Sequence, residues 1–217
     1  MRFNQVGTRE RRERERENRR SQILNAAKEI FMSKGLRAAT MEDIARKVEL
    51  SPGTIYTYFK NKEELYVVLN LIGLQYLYKQ IEKVYKNRKL SVEAKLIKFK
   101  DAMYQTFRHD PLLLRVIFHV QLEDSLFTLN KALLEQLNHL AKRTMNLFVD
   151  TYEEGVRQGK FKKDQGIVLS DIIWATFTGL VLWEEAKRKI DPRKNFLKPT
   201  LDSAFDILIR GIKRNRR

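Results

Sequence analysis

The sequence predicts an all-α fold of about nine helices. Three observations carry this. Apolar residues recur at three- and four-residue steps along nearly the whole chain. The 217 residues include only nine glycines and four prolines, too few breakers for a turn-rich sandwich or barrel. Helix-start signals also stand ahead of the apolar runs, at Thr40, Ser51-Pro52, Asn61 and Ser91. With 43% apolar residues the chain can bury a real core, and its length allows one or two domains.

The elements follow in order. Residues 1–20 form a basic arm with eight arginines and four glutamates. Ile23, Leu24, Ala27, Ile30 and Phe31 keep helical spacing, and Gly35 fits a C-cap. Thr40 opens a second helix with Asp43 three residues on, a capping-box pair using the shorter acid; Met41, Ile44, Ala45 and Val48 form its inner face. Ser51 as N-cap and Pro52 at the first position open a short third helix. Asn61 and Glu64 open a fourth, which carries two apolar stripes. One holds Leu65, Leu69, Ile72 and Tyr76; the other holds Val67, Leu71, Leu74, Tyr78, Ile81 and Tyr85. A helix apolar on two sides is covered on two sides. After the break at Asn87-Arg88-Lys89, Ser91 caps a fifth helix with Val92, Leu96, Phe99, Met103 and Phe107 on one face. Asp110-Pro111 starts a sixth. Leu126, Leu129, Leu133, Leu137 and Leu140 begin a seventh that ends near Gly155 and Gly159. An eighth runs from Asp164 to about Lys189, and a ninth carries Leu201, Phe205, Leu208 and Ile212.

Charge and composition narrow the function. The formal net charge is +16, which calls for an anionic partner. Most of the excess lies beyond residue 65, so net charge alone does not place a nucleic acid. The absence of cysteine excludes disulfides, thiolate metal sites and a cysteine nucleophile. The charged first residues, with no apolar run behind them, lead us to expect no targeting segment. The most apolar window, Ile167–Trp183, is interrupted by Ser170, Asp171, Thr176 and Thr178, and reads as a buried helix rather than a membrane span. A cytoplasmic chain with no membrane partner is expected.

Nothing argues for catalysis. The histidines are His109, His119 and His139; His119 and Glu123 have i,i+4 spacing but no second histidine to complete a metal site. Gly155-x3-Gly159-Lys160-Phe161 is one residue short of a phosphate loop and lacks the following hydroxyl. There is no nucleophile elbow and no zinc-binding histidine pair. No catalytic residue, metal or cofactor is expected, and the chain reads as a binding protein, not an enzyme.

The strongest signal is local. A short helix, a tight turn at Glu49-Leu50 and a second short helix make a helix-turn-helix. The residues expected on the outside of the second helix are small or hydroxylated: Ser51, Gly53, Thr54 and Thr57, with Tyr56 and Tyr58. Such residues let a helix sit deep in a groove and bond phosphates or base edges. Phe59 is expected in the core. Two readings of the arm stand. Arg9, Arg12, Arg16 and Arg20 share one stripe beside a stripe of Glu10, Glu13 and Glu17; the arm is either a solvated, salt-bridged helix or one that follows DNA phosphates or enters the minor groove.

Here the sequence resembles a known family. Ile23-Leu24-x-Ala26-Ala27-x3-Phe31-x3-Gly35, then Ala39-Thr40-Met41-x2-Ile44-Ala45, is similar to the N-terminus of TetR-type transcriptional regulators, and Ser51-Pro52-Gly53-Thr54-Ile55-Tyr56-Thr57-Tyr58-Phe59-Lys60-Asn61-Lys62-Glu63-x-Leu65 to their most diagnostic stretch. The resemblance is close over about residues 20–66. It implies a helix-turn-helix DNA-binding domain at 21–66 and a helical ligand-binding and dimerisation domain at 67–217. It also implies a homodimer, double-stranded DNA as partner and a small-molecule effector. By position it implies DNA contacts at Thr40, Thr54, Tyr56, Thr57, Tyr58 and Lys62, with Tyr58 and Lys62 on phosphates; Ser51, Pro52 and Gly53 complete the expected interface. Two departures stand out. Glu49 occupies the turn position where the family usually has glycine, and the recognition helix has no Arg, Asn or Gln for bidentate base contacts.

The later helices are less informative. Aromatic and other residues at helical spacing — Tyr76, Met103, Phe107, Phe118, Phe148, Tyr152, Trp174 and Thr178 — are candidate walls of an apolar pocket, with ordinary core packing as the other reading. The basic stretch Lys79–Lys100 offers a place for an anionic headgroup, which points to an amphiphile such as a long-chain acyl thioester. By analogy with the family, Ile173, Phe177, Leu180, Leu201, Phe205 and Leu208 are the candidate dimer interface. The expected function is a ligand-responsive repressor released from a palindromic operator. The alternative is a non-specific architectural DNA binder using the arm and the basic C-terminal tail.

Overall fold

The structure, a computed structural model, describes residues 3–111 and 131–214. Among the described residues there are eight helices and no strand. They are α1 (Phe3–Ala38), α2 (Met41–Lys47), α3 (Pro52–Tyr56), α4 (Lys62–Tyr85), α5 (Val92–His109), α6 (Lys131–Arg157), α7 (Gly166–Ile190) and α8 (Leu197–Ile212). The helix expected after Asp110-Pro111, with Phe118, His119 and Glu123, falls in 112–130, outside the described residues.

The chain divides into two compact units. Of the described residues, the first comprises 3–72 and 131–134 and the second 73–111 and 135–214, so the split falls inside α4 between Ile72 and Gly73. The expected boundary at residue 66 came from the extent of the family resemblance. In the structure Leu65 to Asn70 are all buried, because α4 enters the first unit as its central helix.

In the first unit, Ile23, Ala27, Phe31, Ile44, Ile55, Phe59 and Leu65 are buried together. Tyr66 meets the Phe31 ring edge-on, with centroids 5.3 Å apart. Val67 carries Leu133 and Leu134 against it. Gly35, at φ 76°, breaks the line of α1 and supplies the left-handed residue expected there. Upstream, residues 7–19 of α1 are exposed.

In the second unit, Ser91 caps α5 by accepting from the Ala94 N–H at 3.2 Å. Leu96, Phe99 and Met103 of α5 lie in the core with Phe148, Tyr152, Ile173, Phe177, Val181, Leu201 and Phe205. Helix α8 packs on both α5 and α7. By length and hydropathy α7 passes the test for a membrane-crossing helix. It is instead packed along one face, and that face includes buried Ser170, Thr178 and Glu184. Glu184 accepts from Lys187 at 2.5 Å and from the Phe196 N–H at 2.6 Å. Burial pushes its carboxyl up, but these donors outweigh it and hold the group below the usual carboxylate range.

The lysine stretch is partly internal. Lys95 is buried and paired with Glu154 at 3.5 Å; Lys100 is buried, bonds Asp101 at 3.1 Å and contacts Asp202. These two ammoniums are therefore taken by long-range partners and do not form a headgroup site. Hydrogen bonds from Lys100 and Lys198 hold the Asp202 carboxyl below its ordinary range. Its contribution to stability is present above the unfolded-state pKa, about 3.9, and is lost as pH falls through the depressed folded value. Breaking a fully buried pair costs about 3–5 kcal/mol. Because the Asp202 side chain is 42% exposed, we expect Asp202→Asn to cost about 1–2 kcal/mol at neutral pH. Urea unfolding across pH 2–7 checks this: the parent loses that margin below about pH 4, and the variant's acid limb is flatter.

Candidate nucleic-acid interface

The interface begins with two caps. Thr40 Oγ1 accepts from the Asp43 N–H at 3.1 Å, and Asp43 Oδ2 accepts from the Thr40 N–H at 3.3 Å, closing the expected capping box at the start of α2. Lys34 donates to Asp43 Oδ1 at 2.7 Å and is the main reason the Asp43 carboxyl sits below its ordinary range. At α3, Ser51 Oγ accepts from the Thr54 N–H at 3.1 Å, and Pro52 occupies the first turn, where its missing N–H costs nothing.

The turn between α2 and α3 needs a left-handed residue. Glu49 has φ 56°, and among the described residues it is the non-glycine with positive φ. The L side chain there costs roughly 1 kcal/mol, so Glu49→Gly should raise the unfolding free energy by about 0.5–1 kcal/mol despite glycine's greater unfolded-state entropy. A shift in the urea midpoint at unchanged slope reads it. An unchanged or lowered midpoint would show the strain is already relieved.

Helix α3 has a clear inside and outside. Ile55 is fully buried and Phe59 nearly so, confirming the core expectation for Phe59. Ser51, Pro52, Gly53, Tyr56 and Thr57 are exposed, and Thr54 and Tyr58 are half-buried. Tyr56 is 50% exposed, a large aromatic with no packing reason to face outward. Thr57 Oγ1 donates to the Thr54 carbonyl at 2.7 Å. A Cβ on Gly53 would meet nothing closer than Ser51 Oγ at 3.8 Å, so nothing inside the protein demands glycine there. Thr40 is also exposed, its Oγ1 held by the cap.

Lys62 is placed differently from expectation. Its Nζ donates to the carbonyls of Leu36 (2.9 Å), Arg37 (3.1 Å) and Ala39 (3.0 Å). An ammonium has three donors, and all three go to the end of α1. Lys62 braces the α1–α2 connection and is not a free cation for a phosphate. The nearby Asn61 cap does form as expected, its Oδ1 accepting from the Glu64 N–H at 2.8 Å.

This capped pair, with a buried inner face and a row of small, hydroxylated and aromatic residues outside, is a helix-turn-helix. The family profile described as bacterial regulatory proteins of the tetR family matches residues 23–69. Residues 23–69 form a TetR-family DNA-binding domain. Proteins with this domain are transcriptional regulators, and this chain is a DNA-binding regulator and not an enzyme. The fatty acid metabolism regulator protein of Bacillus subtilis strain 168 is 25% identical over 193 residues, 88% of this chain and 94% of that protein. The HTH-type transcriptional repressor KstR2 of Mycolicibacterium smegmatis is 26% identical over 70% of this chain and 72% of its own length. Among solved structures, FadR of B. subtilis in complex with stearoyl-CoA superposes with a TM-score of 0.69 at 25% identity, covering 88% of this chain and 98% of that one. The TetR-family regulator PfmR of Thermus thermophilus gives 0.72 at 20% identity over 88% and 99%. The likeness to PfmR establishes the TetR fold across both units.

The other expected sites fare unevenly. Of the pocket candidates, Met103, Phe148, Tyr152 and Thr178 are buried, Phe107 and Trp174 half-buried, and Tyr76 stacks on His109 with centroids 4.9 Å apart. Phe148 packs on Phe99 at 4.8 Å, and the Tyr152 hydroxyl donates to the Lys162 carbonyl at 2.6 Å. Phe118 lies outside the described residues. Of the interface candidates, Ile173, Phe177, Leu201 and Phe205 are buried within the protomer and unavailable to a partner; Leu180 and Leu208 are half-buried. Their apolar spacing marks the face that closes the second unit's own core. The exposed large apolar residues of these helices are others: Ile167, Val168, Ile172, Leu182, Trp183 and Ile190 on α7, and Ile207 on α8.

Sequence reasoning also missed Asn70. It is 1% exposed on α4, and neither its amide nitrogen nor its oxygen has a hydrogen-bond partner among the described residues. A buried amide without partners costs about 1–3 kcal/mol. A lone Asn inside a run of buried apolar residues was the available signal.

Proposed function

We propose that this chain is a homodimeric repressor that reads a pseudo-palindromic operator and is released from it by a long-chain acyl thioester. The observation that carries the effector class is the likeness to the B. subtilis fatty acid regulator, which runs through the second unit as well as the DNA-binding one. Asn70 supports it: an amphiphile's carbonyl would satisfy an amide that otherwise stays unpaired. Helix α4 belongs to both units, so it is the element through which effector binding would bias α3. The effector acts only through a difference in its affinity for the DNA-competent and DNA-incompetent states.

In this reading Thr40, Ser51, Thr54 and Tyr58 bond phosphates, Thr57 joins them by turning its hydroxyl away from the Thr54 carbonyl, and Tyr56 reaches base edges. Gly53 leaves room for close approach of the duplex. The recognition helix lacks bidentate base readers, so part of the specificity comes from DNA shape. The partner-facing surface is the exposed apolar set of α7 and α8, where Trp183 is 63% and Ile207 70% exposed. Burying a charge against that surface should separate the protomers: Trp183→Glu is expected to raise the dimer dissociation constant at least 100-fold, read by sedimentation. An unchanged dimer would place the interface elsewhere.

The test of function is release from DNA. Stearoyl-CoA, added to the chain bound to a fluorescent duplex from upstream of its own gene, should lower the anisotropy at micromolar concentration. Coenzyme A alone should not. Asn70→Leu should keep DNA affinity and blunt the response. No release by acyl-CoA of any chain length would overturn the effector assignment.

A further inference from the structure

Residues 7–19 of α1 form an exposed helix with no apolar face. About four turns of isolated polar helix are marginal in water. Arg9–Glu13 at 3.1 Å and Arg11–Glu15 at 3.0 Å are exposed pairs that supply only a few tenths of a kcal/mol each. A helix so built is what a partner surface would order.

Its charges are sorted by face. Arg9, Arg12, Arg16, Arg19 and Arg20 recur at three- and four-residue steps and lie along one side, whereas Arg11 and Arg14 lie on the other. Within the stripe, Arg12 and Arg16 have no ion-pair partner among the described residues. Its lower end is rooted beside the recognition helix. The Arg20 guanidinium lies over the Phe59 ring, 5.1 Å from its centroid. Arg16 and Arg20 line one groove with Tyr58, which follows α3 directly.

We infer that this arginine stripe is a second DNA-contact surface, engaging backbone phosphates that flank the stretch read by α3. The inference rests on the DNA-binding reading of α3. Three points select duplex DNA over other anions. Tyr58 lies both at the edge of the α3 surface and in the arginine groove, so a duplex seated on α3 passes the foot of the stripe. Arginine's planar fork suits phosphate oxygens. Residues 7–20, which carry the stripe, have no Trp, Phe or Leu to enter a lipid interface, so a membrane surface fits that stretch poorly. Glu13 and Glu17 border the groove. Their charge confines the phosphates to the Arg12–Arg16 side.

The test uses the full chain and compares two variants of equal charge: Arg12→Ala/Arg16→Ala in the stripe and Arg11→Ala/Arg14→Ala on the opposite face. Anisotropy with a long flanked duplex and a short core duplex, across a salt series, gives the slope of log K against log salt. Each lost phosphate contact lowers that slope by about 0.9. The stripe variant should therefore lose roughly 3–4 in a dimer on the long duplex and little on the short one. The opposite-face variant should stay near the parent on both. Equal losses in the two variants would reduce the stripe to diffuse charge, and no loss in either would leave the arm off the DNA; each overturns the inference. A parent with no sequence preference but with the stripe-specific slope loss would sink the repressor reading alone. Far-ultraviolet circular dichroism checks that the helix is retained, which alanine favours.

Discussion

Lys62→Ala is expected to destabilise the first unit by about 2–3 kcal/mol and to leave the salt slope of DNA binding where it was. The brace explains both parts. Three hydrogen bonds from one ammonium hold the carbonyls of Leu36, Arg37 and Ala39. Bonds from a charged donor contribute about 1.5–3 kcal/mol each when fully buried. Here the Arg37 carbonyl bond is exposed and the other two only partly buried, so water takes over part of the loss. The bonds also sit where α1 ends, and a cation there meets the negative end of the helix dipole. Urea unfolding of the variant, with a salt series on its folded form, separates the two roles. A reduced slope at unchanged stability would mean that the lysine swings out to a phosphate.

Gly155→Ala is the second large effect, expected at about 2–3 kcal/mol or more. A Cβ at Gly155 would fall inside the contact distance of the Phe161 ring atoms. The ring has nowhere to go. It is 2% exposed and stacks on Tyr152 with centroids 5.8 Å apart. Its backbone is pinned too: Lys162 N–H donates to the Ile212 carbonyl at 2.8 Å, and Arg214 N–H to the Lys160 carbonyl at 2.9 Å. The strap after α6 is thus tied to the end of α8. Relief requires either a shifted strap or a displaced aromatic, and a lowered thermal midpoint with weaker protection at Lys162 and Arg214 in hydrogen exchange would register it. Parent-like stability would show that the strap is soft.

The parts legible in the sequence are those whose causes are local. Thr40 with Asp43, Ser51 with Pro52, Asn61 with Glu64 and Ser91 all bond a backbone group within three residues, so type and spacing suffice to place them. The glycine-like demand at Glu49 was visible only through the family resemblance, which has glycine at that turn position. What stayed hidden depends on distance. Lys62 bonds carbonyls more than twenty residues back, and Lys100 finds Asp202 about a hundred residues on. Neither partnership leaves a mark on the pattern around the lysine. Periodicity likewise identifies the apolar rows of α7 and α8 but not which row closes the protomer. Ile173 and Trp183 are both apolar on the same helix, and only packing shows that the first is inside. Gly155 reads in sequence as half of a failed phosphate loop; its reason is the ring of Phe161 six residues away.

On the proposed function, the outer face of α3 reads DNA sequence. Anisotropy on the duplex upstream of the chain's own gene, against a scrambled duplex at two salt concentrations, is the test, with Tyr56→Ala alongside. The expected result is a specificity ratio of about 10³ or more that survives the higher salt, and a Tyr56→Ala variant that loses most of it. Equal binding to both duplexes that collapses together with salt, in parent and variant alike, would contradict it and leave a chain held to DNA by charge alone.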